Sequence, residues 1–84
     1  MPAAPPLLTF YTRPQCHLCD AARFVVERVA RDRPLNIEYI DVSADPDLER
    51  RYGWHVPVLL IDGVEHARHR IDESALRQAL ERRR

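Results

Sequence analysis

Apolar and polar positions follow two different rhythms along this chain, and each switch between them marks an element. Leu7-Leu8-Thr9-Phe10-Tyr11 is a short β-type run closed by Thr12-Arg13-Pro14. It reads as a strand buried on both faces, and so as a central one. From Cys16 to about Arg31 the period becomes helical. Leu18, Ala22, Val25 and Val29 recur on one face, widened by Ala21 and Val26. Pro14 stands just ahead of the helix start, where proline does no harm, and Pro34 stops the helix beyond its end. Asn36–Val42 alternates again, with Ile37, Tyr39 and Val42 set against Glu38 and Asp41, and predicts a second strand.

Asp45–Gly53 spells a short helix. Asp45 is placed to cap it, Pro46 suits its first position, acids precede arginines, and Gly53 suits the C′ position. Val58-Leu59-Leu60-Ile61 reads as a buried strand. Asp62-Gly63 is a two-residue hairpin signal leading into Val64–Ala67 as an edge strand. Asp72 caps a last helix running to about Arg82. Ile71 and Leu76 are placed as its hydrophobic staple, and Leu76, Ala79 and Leu80 form its core face. The order β-α-β-α-β-β-α makes the first two strands parallel through a right-handed crossover and puts the hairpin on the other side of the first strand. The expected fold is therefore α/β, a four-stranded mixed sheet of order 2-1-3-4 flanked by helices. Residues 1–6, rich in proline and alanine, read as a disordered tail, and residues 7–84 as a single domain.

Length and charge narrow the function classes. Eighty-four residues leave room for one small domain. Thirteen basic residues, all arginine, balance thirteen acidic ones, which gives no bulk electrostatic case for nucleic acid or an anionic membrane. Leu7–Tyr11 and Val56–Ile61 are too short to span a bilayer, and the first residues lack a basic n-region and an apolar h-region. A cytoplasmic monomer is expected. Arg82-Arg83-Arg84 suits a fraying helix C-terminus, and His66 and His69 read as surface residues of the edge strand and the loop after it.

The chemistry concentrates in Cys16 and Cys19, the two cysteines of the chain, in one C-x-x-C. A disulfide closing so short a loop stabilises by only about 2 kcal/mol on the loop-entropy formula, so the pair reads as chemistry in a reducing compartment. Cys16 lies at a strand-to-helix junction, at or near the first helical position. Free backbone N–H groups and the positive end of the dipole favour an anion there, and Arg13 adds a cation. The expected Cys16 pKa is below the free value of about 8.5. A fall to about 6 would make roughly nine-tenths of it thiolate at pH 7. Cys19, one turn on and facing inward, is the expected protonated resolving thiol. His17 is a second candidate for supporting the thiolate, weighed against a plain solvated position.

Phe10-Tyr11-Thr12-Arg13-Pro14-Gln15-Cys16-His17-Leu18-Cys19, followed later by Val56-Pro57-Val58, resembles the glutaredoxin branch of the thioredoxin fold. The element order agrees across about residues 7–82, and small glutaredoxin-like proteins with a C-H-L-C site are the nearest likeness. The resemblance implies a dithiol–disulfide oxidoreductase, with Cys16 as nucleophile and Cys19 as resolving thiol. It implies a cis Val56–Pro57 bond beside the dithiol and a Val56 backbone offered to an extended substrate segment. Arg13 matches the family's contact to a glutathione carboxylate, and Asp72 its contact to the glutathione amino group. Glutathione or another thiol is then the electron donor, with no bound cofactor or metal, and the partner is a disulfide-containing protein or glutathione. Two departures stand out. His17-Leu18 replaces the usual Pro-Tyr, and Ala67-Arg68-His69-Arg70 replaces the Gly-Gly that lets glutathione approach the backbone. Weaker glutathione binding is expected. Trp54 and His55, just ahead of Pro57, are either walls of a substrate groove or, with more weight, surface residues. Two other readings of the cysteines are metal or iron–sulfur cluster binding, and a non-catalytic interaction module with a vestigial dithiol.

Overall fold

The computed structural model describes residues 4–83. The element order is β1 (Leu7–Thr12), α1 (His17–Asp32), β2 (Asn36–Asp41), a 3-10 turn (Val42–Ala44), α2 (Pro46–Tyr52), β3 (Val58–Ile61), β4 (Val64–Arg68) and α3 (Glu73–Arg82). The sheet order is β2-β1-β3-β4, with β1 parallel to β2 and antiparallel to β3. Both the order and the mixed directions agree with the pattern of the sequence. The expected tail is only partly described, because residues 1–3 lie outside the described residues. Pro6, assigned to that tail, is buried, and its carbonyl accepts from Asn36 N–H at 2.9 Å.

Strand alternation sends Phe10 and Tyr11 to opposite faces. Phe10 packs on Tyr39, ring centroids 5.3 Å apart, and the Tyr39 hydroxyl donates to Glu27 of α1 at 3.1 Å. Burial then pushes the Tyr39 phenol up, with the Glu27 charge next in effect. Tyr11 meets Tyr52 of α2 on the other face. The sheet is thus covered on both sides, with Leu8, Thr9 and Phe10 of β1 all buried and Leu7 at the start of the strand 41% exposed.

The face of α1 is rotated from the expected one. Its buried residues are Cys19, Ala22, Val26 and Val29, while Leu18 is 41% exposed. The sulfur of Cys19, a small hydrophobe, begins the stripe that Leu18 was expected to begin. The helix packs against α3, and Arg28–Glu73 and Arg77–Asp32 ion pairs bridge the two at 3.2 Å and 2.7 Å. In α3, Ile71 and Leu76 are both buried on either side of the Asp72 cap, whose carboxylate accepts from Ala75 N–H at 2.8 Å. That is the staple and cap the sequence predicts.

The hairpin turn has positive φ at both central residues, 49° at Asp62 and 85° at Gly63, the geometry that twists two strands together through two residues. Leu59 pairs with Ala67 and Leu60 with Glu65, so His66 is the extra residue of a bulge. Gly53 departs from expectation. Its φ is −55°, so it is not a left-handed C′ residue. It is glycine for lack of space: a Cβ there would lie 2.5 Å from the Glu49 carbonyl oxygen and 2.9 Å from Arg13 Nη2.

Candidate active site

The register brings the candidate residues to one pole of the sheet. Tyr11 pairs with Val58, Thr12 with Asp41, and Val58 with Arg68. The segments that run on from these ends carry Arg13 to Cys16, Val56-Pro57 and His69 to Asp72. The hairpin turn and the end of α3 lie at the opposite pole, where Arg83 pairs with Asp62.

Cys16 and Cys19 are joined as a disulfide, their Cα atoms 5.2 Å apart. Cys16 is the N-cap of α1, beside the first helical position as expected, and its Sγ accepts from Cys19 N–H at 3.1 Å. The sulfur stands where a serine or aspartate oxygen would cap the helix. It takes one of the N–H groups that the helix itself cannot satisfy. Cys19 is 3% exposed and Cys16 half-buried, so the two sulfurs differ in access as the sequence predicts. Gln15, immediately before Cys16, has φ 58°, a left-handed conformation that costs a non-glycine residue roughly 1 kcal/mol. No turn signal in the sequence marked this position.

Arg13 has a carboxylate partner of its own. Its guanidinium pairs with Glu49 of α2, while its Nε is buried without a partner among the described residues. Arg13 thus ties the end of β1 to α2. Asp41, which the sequence pattern treated only as a polar strand position, is also part of this end. It accepts from Ser43 N–H at 2.9 Å and Ser43 Oγ at 2.6 Å, and these bonds hold its carboxyl below the usual range, with the Arg13 charge acting the same way. His17 is exposed at the first turn of α1.

The Val56–Pro57 bond is cis, and both residues are buried. The Pro57 carbonyl accepts from His69 N–H at 2.8 Å, and His69 has a left-handed φ of 69°. The Val56 N–H and carbonyl have no backbone partner among the described residues. The His69 ring meets His55 edge-on, centroids 5.7 Å apart. Arg68 is held by both carboxylate oxygens of Glu65, each contact 2.7 Å, which lowers the Glu65 carboxyl. Arg70 is exposed and has no ion pair among the described residues. With His69 and Ile71 it faces Leu18, Ala22 and Val25 across a cleft of about 120 Å³.

A family model described as Glutaredoxin-like domain (DUF836) matches residues 7–81. The chain belongs to this glutaredoxin-like family. It is similar to a protein named thioredoxin from Methanocaldococcus jannaschii, 39% identical over 59 residues that cover 67% of this chain and 69% of that one. A glutaredoxin-like protein from Dictyostelium discoideum is 36% identical over 80 residues, 88% of this chain and 74% of its own length. Among solved structures, a structural-genomics target protein from X. campestris is 35% identical, with a TM-score of 0.72 over 92% of this chain and 99% of that one. Glutaredoxin-like membership accounts for the fold, and the bonded Cys16–Cys19 pair is consistent with a redox member of it. No helix among the described residues is long and apolar enough to cross a membrane. Among them, too, no three His, Cys, Asp or Glu side chains gather as a metal-donor set.

Proposed function

We propose that this glutaredoxin-like protein reduces disulfides by thiol–disulfide exchange, with Cys16 as nucleophile and Cys19 as resolving thiol. The observation that carries the reading is Cys16 Sγ at the helix N-cap, accepting the Cys19 amide, with the buried Cys19 sulfur in bonding reach. The N–H bond and the dipole stabilise a thiolate at Cys16 more than a thiol. That thiolate attacks one sulfur of a substrate disulfide. A Cys16–substrate bond forms, the substrate S–S bond breaks, and the leaving thiolate takes a proton from solvent. Cys19 then loses its proton and attacks Cys16 Sγ. The mixed disulfide breaks, the second substrate thiol leaves, and the Cys16–Cys19 disulfide remains. Two electrons pass from the dithiol to the substrate, and of the two protons the substrate gains one comes from solvent and one from Cys19.

Val56 supplies unpaired backbone groups at the pole that carries the sulfurs, suited to an extended substrate segment. Asp72 serves the α3 cap with one carboxylate oxygen and keeps the other for a substrate amine. Arg13 acts through α2 rather than on the thiolate, and His17 adds an exposed imidazole next to Cys16. Glutathione or another small thiol returns the protein to the dithiol, and a monomer in the reducing cytoplasm is the setting this chemistry suits.

The test is reduction of insulin and of a glutathione mixed disulfide by the protein, recycled with dithiothreitol and with glutathione. The wild type turns over at least one of them and Cys16→Ser neither. Equal rates for wild type and Cys16→Ser would remove the proposal.

A further inference from the structure

His55 and His69 come from separate segments of the chain and meet edge-on, ring centroids 5.7 Å apart. Two rings can also meet in this way simply to pack. What distinguishes this pair is how both residues are held and what they leave open. The His55 N–H donates to the Tyr52 carbonyl and the His69 N–H to the Pro57 carbonyl, each at 2.8 Å. Backbone bonds therefore fix both residues, one just ahead of the Val56–Pro57 segment and one bonded across to it. His69 is exposed and His55 half-buried, so a hydrated ion can reach the rings. Neither imidazole has a side-chain hydrogen bond or an ion pair among the described residues.

The spacing is that of two ligands on one ion. A zinc-class ion lies about 2.0–2.1 Å from an imidazole nitrogen, and so about 3.2 Å from the ring centre. Two rings on a tetrahedral ion then have centres about 5 Å apart, rising to about 6 Å as the angle between them opens. The observed 5.7 Å falls inside that range, so neither backbone has to move. Only the rings turn, about a broad torsion that opposes them little.

We propose that His55 and His69 form a two-imidazole site for a divalent transition ion of the zinc and copper class. Imidazole nitrogen suits these ions, whereas magnesium and calcium take oxygen. Two protein donors are fewer than a closed structural site uses, so water completes the shell and the ion exchanges with solvent. The charges around the pair are mixed. Glu65 lies close enough to feel the His55 charge, but Arg68 holds both its oxygens, and Arg70, next to His69, is an exposed cation. Binding therefore rests on the two coordinate bonds and not on an attractive field. Neither cysteine takes part, so the site is independent of the disulfide-reducing reading above.

The chain supplies its own reporter, because Trp54, its single tryptophan, adjoins His55 and is 89% exposed. The protein is titrated with Cu2+ in its disulfide form, so that no thiol competes for the ion. Bound Cu2+ quenches the neighbouring indole, and the quenching is expected to saturate at one ion per chain and to be reversed by excess Zn2+. His55→Gln and His69→Asn should each raise the half-saturating concentration about tenfold or more, since each leaves one donor of a linked pair. Asparagine is chosen because it tolerates the left-handed φ of His69. His17→Gln and His66→Gln should leave the titration unchanged. Equal titrations of the wild type and either His55→Gln or His69→Asn overturn the proposal. A second measurement needs no variant. On addition of Zn2+ to the wild-type disulfide form, the ring resonances of His55 and His69 should shift together before those of His17 and His66. Movement of one of the two alone, of His17 or His66 first, or of none, overturns the site.

Discussion

Tyr11 stacks on Tyr52, ring centroids 4.3 Å apart and planes 18° from parallel. One ring stands at the end of β1, the other in the last turn of α2, and the turn carrying Trp54 hangs from the Tyr52 carbonyl. Burial raises the Tyr11 phenol, with the Tyr52 ring adding to the effect. The pair is the apolar half of the joint whose polar half is Arg13–Glu49. A double-mutant cycle of Tyr11→Ala and Tyr52→Ala is expected to give a coupling of about 1 kcal/mol in denaturant unfolding. Additive losses would show that the rings touch without supporting one another.

Gly53 gives a sharper test of the same joint. The Glu49 carbonyl that a Cβ would meet is backbone and cannot swing away. Gly53→Ala should lose roughly 1–3 kcal/mol of stability, as overpacked sites do. An alanine at an unstrained helical φ would otherwise be neutral or helpful, so a stabilised variant would contradict the close approach.

Much of this was legible in the chain. Strand order, the Asp62-Gly63 hairpin, the Asp45 and Asp72 caps and the inward Cys19 follow from local rules that act over a few residues. What was not legible depends on neighbours distant in sequence. Gly53 looks like a helix-ending glycine until Arg13 and Glu49 are seen to fill the space of its side chain. Arg13 looks like a partner for Cys16 because it lies three residues away, but the carboxylate of Glu49, thirty-six residues on, holds it. Leu18 and Cys19 compete for the same face by one residue, and periodicity alone favours the larger side chain. The left-handed Gln15 carries no glycine or asparagine to announce it.

Arg68 bears on glutathione. Glu65 takes the Nε–H and one Nη2–H of Arg68, so the guanidinium is already paired with a carboxylate and its bulk is expected to obstruct the strand edge. Glutathione should bind weakly, and Arg68→Ala should leave that affinity unchanged or improve it, as followed by backbone amide shifts on titration. A tight wild-type complex weakened by Arg68→Ala would make the arginine a ligand.

His66 sets a pH dependence at the opposite end of β4. Burial holds its imidazole below the usual range, and the Arg82 charge adds to this. A histidine with a depressed native pKa lets the unfolded chain take up the proton first. Its contribution is complete above the unfolded value of about 6.5 and is lost as pH falls from there through the native value. The fall in Tm between about pH 7.5 and pH 5 should be smaller in His66→Gln than in the wild type. An equal fall would place the titration elsewhere.

The division of labour between the two sulfurs is tested most directly by alkylation. Fully reduced protein is exposed briefly to limiting iodoacetamide at neutral pH, and the labelled cysteine is located by peptide mass. Cys16, half-exposed with an amide N–H on its sulfur, should carry nearly all the label, and Cys19, buried at 3% exposure, almost none. Equal labelling, or faster labelling of Cys19, would contradict Cys16 as the attacking thiolate.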